Sequence, residues 1–295
     1  MTGTIHSETT GNYILNQYKE KGYFLAKNLL DKSKIKAANQ WLDSQDQKSL
    51  TKSWTEQEPG VDLAVFSVIH KGDHPLAEIA NNTQMLQIAG ELMGAPVYIW
   101  SSKINMKAAW CGTVEYYHQD FVYWKDRGYP SDRMMSCMVF LEHHSFQNGG
   151  LCVFPGSHKK GFIEHDSFIN INGLAKSMVP PQTLNQLNVE YGWESITAEP
   201  GDVLFFHTNL VHGSAHNISP KSRRILLSQL NVIGNEPTGV AEKSREFNLK
   251  RAQQELVEAQ RKLDWFKKKY DEQLASSELT FCPPIPEHER NLAKK

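Results

Sequence analysis

The sequence has few cysteines, almost no net charge and no long apolar run, and each of these narrows what the protein can be. Its four cysteines, Cys111, Cys137, Cys152 and Cys282, form no CxxC pair. Three of them sit in apolar strand-like or aromatic surroundings, so they read as reduced core or near-surface thiols. Lysine and arginine total 32 against 33 acidic residues, a formal net charge of −1. No overall field draws the chain to nucleic acid or to an anionic membrane, and any charged partner must be bound locally. No stretch approaches the roughly 18 uninterrupted apolar residues that a membrane span needs, and the opening MTGTIHSETTGNY has no apolar signal segment. A soluble, cytoplasmic protein with no nucleic-acid and no membrane partner is the expectation. There is no internal repeat, no low-complexity tract and no HExxH motif with its water-activating glutamate, which counts against a zinc hydrolase.

With 295 residues, 40% of them hydrophobic, the chain can build one large decorated domain. Residues 13–45 read as a helix, a short GYFLAKNLL strand and a second helix in which Ile35, Ala38 and Trp41 recur at helical spacing after Asp31, a plausible N-cap. Residues 50–75 are polar and irregular, and 76–93 return to a helical pattern closed by Gly94. The character then changes to short β-prone runs, VYIWSSKINMK, SCMVFLE, GLCVF, DVLFFH and RRILLSQLNVI, separated by Gly, Pro, Asn and Asp clusters. This is the layout of a β-sandwich or barrel with helices packed outside. The stretch 162–192 lacks a clear period, carries a Pro-Pro pair at 180–181, and reads as a long insertion between two strands. Over 241–275, Leu249, Ala252, Leu256, Ala259, Leu263, Phe266 and Tyr270 alternate spacings of three and four. That pattern predicts a long helix, lying on its own barrel or forming a homodimer seam. The expected organisation is a single domain over 1–295: helical support over 12–95, a β core over about 96–235, and a helical extension over 240–276.

Chemistry enters at residues 116–124, YYHQDFVYW. On an extended chain His118 and Asp120, two apart, project to the same face, so both can reach one ion. A neutral imidazole and a hard carboxylate suit Fe(II), and a third ligand from elsewhere would complete a 2-His-1-carboxylate face with open positions. With 12 histidines in the chain, an isolated HxD is close to a chance event. A second segment strengthens it: in GDVLFFHTNLVHGSAHN (201–217) a β-run ends in a turn, and His207, His212 and His216 compete to present an imidazole inward. Beyond it, Arg223 and Arg224 open an apolar strand. A guanidinium fork there suits a carboxylate, and only one of the two can face inward.

Taken in order, these residues resemble the phytanoyl-CoA dioxygenase family of Fe(II)/2-oxoglutarate oxygenases over roughly 13–235. The landmarks are KEKGYF near the N-terminus, SKINMK at 102–107, HQD at 118–120, GGLCVFPGSH at 149–158, GDVLFFH at 201–207, HGS at 212–214, and Arg223. The resemblance implies a double-stranded β-helix, the cupin-like jelly roll, as a mainly β core with flanking helices. It selects His212 as the distal ligand beside His118 and Asp120, and Arg223, eleven residues later, as the co-substrate anchor. It also implies that Ser214 assists Arg223 and that Asn105 and Ser136 lie near the co-substrate; His207 and His216 become supporting or structural candidates. Lys107 is open between a place near the co-substrate and a strand-edge charge and no more. The ectoine-hydroxylase-like branch is the nearest in flavour, and it places Trp124 on the substrate pocket with Phe121 and Tyr123, and less clearly Tyr129, nearby. An indole face there could hold a cationic or amide-bearing group. Ectoine hydroxylases tend to have HisSerAsp where this chain has HisGlnAsp, so ectoine itself is not carried over.

The implied chemistry is hydroxylation of an unactivated C–H bond of a small, amino-acid-like molecule or secondary metabolite, with Fe(II), 2-oxoglutarate and O2 consumed to give succinate and CO2. A carboxylate at position 120 favours hydroxylation over halogenation, because halogenating relatives carry a small residue there. Desaturation, cyclisation or epimerisation at the same centre remains open, as does an acyl-CoA substrate, for which basic density is limited to GSHKKG at 156–161. A cupin-like binding protein with a vestigial metal site is the rival from another class, but no ligand is missing.

Overall fold

The computed structural model describes residues 8–45, 65–67, 69–112, 114–169 and 175–237, together with Asp264, Lys267 and Lys268. The chain divides into two compact units, Met1–Gly239 and Val240–Lys295. The long helix expected over 241–275, and its seam for self-association, lie outside the described residues except at those three helical positions.

The first unit begins with helix α1 (Glu8–Lys21), strand β1 (Tyr23–Ala26) and helix α2 (Lys32–Ser44). Asp31 caps α2 as its sequence suggested, accepting from the Ser33 amide at 2.6 Å, which satisfies a donor the first turn leaves open. The face of α2 that is buried runs Ile35, Ala38, Leu42. Trp41 lies at the edge of that face and stacks on His74, ring centroids 4.2 Å apart. The helical pattern over 76–93 is two helices, α3 (Pro75–Ala80) and α4 (Thr83–Met93). The break falls at Asn81–Asn82, because the Asn82 side chain accepts from the Met85 amide and starts a new helix.

Strands β3 (Val97–Lys107), β5 (Met134–Phe140), β10 (Val203–His207) and β12 (Arg223–Val232), with β1 and β2 (Val65–Ser67) at the edges, form a six-stranded antiparallel sheet in the order β1-β10-β5-β12-β3-β2. Strands β4 (Glu115–His118), β6 (Leu151–Val153), β9 (Glu194–Ser195) and β11 (His212–Ser214) form the second sheet, in the order β4-β11-β6-β9. From β3 to β12 the chain passes back and forth between the sheets, which is the jelly-roll connectivity of a cupin-like fold. The fold is mainly β with few helices, as expected.

Alternation along each strand sorts side chains into two cores. Phe205 and Phe206 are consecutive and both buried; Phe205 joins the layer under the helices, with Ile35, Leu76, Met85, Ile104 and Leu226, while Phe206 joins the layer between the sheets, with Phe140, Leu151, Val153 and Ile225. Burying each such ring contributes about 1.5–3 kcal/mol. The cysteines Cys111, Cys137 and Cys152 are free, the last two buried. Among the described residues no helix is long and apolar enough to cross a membrane.

The segment 162–192 is not structureless. It carries a hairpin, β7 (Asp166–Ile169) with β8 (Ala175–Met178), and helix α5 (Pro181–Tyr191). The Pro-Pro pair that looked like a loop signal starts α5, since proline at the first helical position loses no hydrogen bond. Leu187 of α5 packs with Phe154, Val179 and Val211 on the far side of the small sheet.

Candidate metal centre

The sheets face each other across the second core, and the side chains pointing inward at one end are polar. His118 ends β4, and the chain stays extended through Gln119 (φ −107°, ψ 133°) before turning at Asp120, so the two side chains share a face. His212 opens β11 directly across from His118. Gly213 follows because a Cβ there would stand 2.9 Å from the Glu115 carbonyl oxygen; the close approach of β4 and β11 requires a residue without a side chain. His118 Nε2 lies 3.4 Å and His212 Nε2 3.6 Å from Asp120 Oδ1, and one ligand atom from each residue falls within a 4.8 Å cluster. All three residues are buried.

Backbone carbonyls orient both imidazoles. His118 Nδ1 lies 2.7 Å from the Tyr116 carbonyl and His212 Nδ1 2.9 Å from that of Leu210. A carbonyl only accepts, so each Nδ1 carries the proton and each Nε2 turns its lone pair to the centre. Burial alone would raise the Asp120 carboxyl; the His212 and His118 rings and the Ser136 hydroxyl more than offset it and hold the group below the usual carboxylate range. Burial, reinforced by His118, brings His212 down to about 4. Burial alone would lower His118, but Asp120 and Glu115 more than offset it and raise it above the ordinary imidazole value; a divalent cation such as Fe(II) would select the neutral form of both rings, with Nε2 lone pairs beside one ionised carboxylate.

The second anchor is Arg223. It is buried and faces inward, whereas Arg224 faces the other way and pairs with Asp43 at 2.6 Å. Alternation thus decides between the two arginines. Burial brings the Arg223 guanidinium down to about 10, with Glu115 opposing, so it stays charged at neutral pH. Among the described residues its Nε has no hydrogen-bond partner, and neither does the buried Oδ1 of Asn105. A buried cation with an unmet donor fits a carboxylate ligand, because leaving such a group unpaired is costly.

Lys107 is not a strand-edge charge. It is 2% exposed, pairs in register with Arg223, and donates to Ser214 Oγ at 2.7 Å and to the Ala215 carbonyl at 2.5 Å. Since Ser214 Oγ accepts from Lys107, its own proton is left to donate to another acceptor. Ser136 donates to Asp120 Oδ2, which holds that carboxylate in place. His207 accepts from the Asn209 amide and His216 is exposed against the Gly112 carbonyl; neither joins the cluster.

Of the aromatic residues assigned to substrate, Tyr123 reaches the centre, its ring 5.6 Å from that of His118. Phe121 packs edge-on against Phe162. Trp124 lies 4.7 Å from Trp100, and the Arg127 guanidinium sits 4.8 Å from its ring centre. The cation–π contact expected of a substrate is therefore made, on one face, within the chain. Sequence reading also missed Glu115, which opposes the effect of burial on Arg223, and Gln229. Counting alternate positions forward from Arg223 along β12 gives Ile225, Leu227 and Gln229, and such a walk would have found Gln229.

The family model for phytanoyl-CoA dioxygenase matches residues 18–225. The chain is 29% identical over 234 residues to the ectoine dioxygenase of Stutzerimonas stutzeri, covering 75% of this chain and 77% of that protein. It is 29% identical over 179 residues to the L-proline trans-4-hydroxylase of Streptomyces griseoviridis, covering 57% and 67%. Among solved structures, EctD from S. alaskensis with 2-oxoglutarate and 5-hydroxyectoine superposes with a TM-score of 0.64 at 27% identity, covering 82% of this chain and 83% of that one.

Proposed function

The chain belongs to the phytanoyl-CoA dioxygenase family, and from that premise we propose that it hydroxylates an unactivated C–H bond of a small, amino-acid-like molecule or secondary metabolite, releasing succinate and CO2. The enzyme class follows the family: it is a 2-oxoglutarate-dependent dioxygenase using Fe(II) and O2. The observation that carries the reading is a buried His118–Asp120–His212 cluster together with a buried Arg223 whose Nε has no hydrogen-bond partner among the described residues.

In this reading Fe(II), 2-oxoglutarate and O2 together supply the oxidising power for C–H hydroxylation. His118 and His212 offer Nε2 lone pairs, and ionised Asp120 offsets part of the metal's charge. Arg223 and the Ser214 hydroxyl hold the distal carboxylate of 2-oxoglutarate, and a fixed orientation of the co-substrate fixes which side of the metal stays open. Phe206, whose ring lies 5.0 Å from that of His212, and Leu227 keep water from the buried side. Amino-acid-like substrates are favoured because relatives that share most of this chain act, by their names, on ectoine and L-proline.

The test is succinate release from Fe(II)-loaded protein over a panel of free, cyclic and modified amino acids, ectoine and acyl-CoAs, with product mass read in parallel. A gain of one oxygen atom identifies hydroxylation; loss of two hydrogens would replace it with desaturation or cyclisation. Slow succinate release without substrate should vanish in His118→Ala and Asp120→Ala. Parent-level turnover in either variant would overturn the assignment.

A further inference from the structure

Gln229 occupies a position that neither the metal nor the 2-oxoglutarate chemistry explains. On the inner face of β12 it follows Arg223, Ile225 and Leu227, and it pairs with Ser136 of β5 on one side and Ser101 of β3 on the other. Residues so paired have Cβ atoms roughly 4.5–5.5 Å apart, and Ser136 is the residue that holds Asp120. Gln229 therefore stands one side chain away from the metal carboxylate, at the end of the row opposite the co-substrate anchor.

It is 9% exposed and its side chain makes no hydrogen bond to another described residue, and, unlike Arg223 Nε and Asn105 Oδ1, its amide atoms are not sealed from solvent but open onto accessible space. The next inward amide on the strand, Asn231, contrasts with it. Asn231 Nδ2 donates to Tyr98 Oη at 2.9 Å and to the Asn235 carbonyl at 3.0 Å, so that end of the row is closed by internal bonds. Buried amides are normally satisfied in this way. The wall beside Gln229 is aromatic. Gln229 pairs with Ser101 and Leu230 with Ile99, which leaves Trp100 as the extra residue of a bulge in β3. Bulges re-aim side chains next to functional sites, and here Trp100 meets Trp124 at 4.7 Å and Tyr129 at 6.1 Å.

We propose that Gln229 is the specificity-determining residue of the substrate site. Its carboxamide holds a planar carbonyl group of the substrate, a carboxylate or an amide, against the Trp100–Trp124 wall and so places a nearby C–H bond beside the metal. The proposal rests on the dioxygenase reading and narrows it to small molecules that carry such a group a few bonds from the oxidised carbon.

The experiment uses the full chain with Fe(II) and the best substrate from the panel. Gln229→Leu should raise the KM for that substrate at least about tenfold, the effect of losing one hydrogen bond to a charged or strongly polar group. It should leave the KM for 2-oxoglutarate and the substrate-free release of succinate within about twofold of the parent. Gln229→Glu, which keeps the volume, should shift the panel away from carboxylates, and Gln229→Asn should recover part of the affinity. Anaerobic titration of tryptophan fluorescence reads binding without turnover and should show the same order of affinities. If Gln229→Leu does not fold, Gln229→Glu carries the test. An unchanged substrate KM and unchanged panel in a folded, succinate-releasing variant would overturn the proposal. A parent that releases no succinate would instead overturn the dioxygenase reading.

Discussion

The most informative perturbation of the co-substrate pocket is Lys107→Met. The Lys107 stem runs between two glycines: a Cβ on Gly112 would stand 3.0 Å from its Cβ, and one on Gly149 would stand 2.8 Å from its Cδ. Methionine retains most of that stem, so the channel stays filled and the change removes mainly the ammonium with its bonds to Ser214 and the Ala215 carbonyl. Two effects on stability oppose each other: an unpaired buried carbonyl costs about 1–3 kcal/mol, while removing a buried ammonium relieves a desolvation penalty of several kcal/mol. The net change in stability should stay within about 2 kcal/mol. Co-substrate affinity has no such offset. Ser214 loses the donor that turns its proton outward, and the pocket keeps one cation where it had two. One charge-assisted hydrogen bond is worth about 1.5–3 kcal/mol, an increase of roughly 10- to 150-fold in the KM for 2-oxoglutarate. The assay is succinate release against 2-oxoglutarate concentration, with thermal melting alongside. A melting-competent Lys107→Met protein whose KM stays within twofold of the parent would refute the coupling of Lys107 to the pocket.

Arg223→Leu should raise the 2-oxoglutarate requirement while leaving Fe(II) binding, read by equilibrium dialysis, close to the parent; an unchanged requirement would remove Arg223 as the anchor. Gly149→Ala combines a left-handed φ of 74° with approaches of 2.8 Å to Lys107 Cδ and 2.9 Å to the Ala215 carbonyl oxygen, so it should lower the melting temperature and raise the KM for 2-oxoglutarate together. Left-handed backbone alone costs a residue with a Cβ about 1–2 kcal/mol. Asp202, 1% exposed, accepts from the Asn28 and Glu199 amides and from Lys27. Burial alone would raise its carboxyl, but these bonds hold it below the ordinary value. A depressed folded-state pKa means that the stabilisation is complete above the unfolded value, about 3.9, and is lost as pH falls from there through the folded value. Asp202→Asn should therefore be less stable than the parent at neutral pH, with the gap closing below about pH 4; denaturant melts at pH 7 and pH 3 measure it.

What the sequence revealed and what it concealed have physical causes. Helix α2 was legible because Asp31 and the Ile35–Ala38 spacing are local signals, and β12 because its β-prone run ILLSQLNVI has few other readings. Helix α5 was hidden because Pro180 and Pro181 look like a loop until one sees that the second begins a helix. The strand status of His212–Ser214 was equally invisible: three residues containing glycine carry no β signal, and only the approach of β4 explains them. The candidate metal residues came from an ordered set of motifs, whereas Lys107 stayed open because a lysine at a strand end is usually solvated. Its burial depends on two glycines, 112 and 149, that come together only in three dimensions.

The departure at Gln119 shows how this site is kept rigid. A residue between two metal ligands on an extended chain must point away from the metal, where a small side chain would suffice. Here the Gln119 carboxamide is fully buried and donates to the Gly161 and Asn209 carbonyls at 2.8 Å each, while accepting from the Ile163 amide at 2.8 Å. Its own backbone amide donates to His165 Nε2 at 3.0 Å. The segment after β6 and the turn before β11 are thereby tied to the one residue that spaces His118 from Asp120. Asn209 lies one residue before Leu210, whose carbonyl orients His212. A single buried amide thus couples the positions of His118, Asp120 and His212, and places Gln119 in the support of the candidate metal centre.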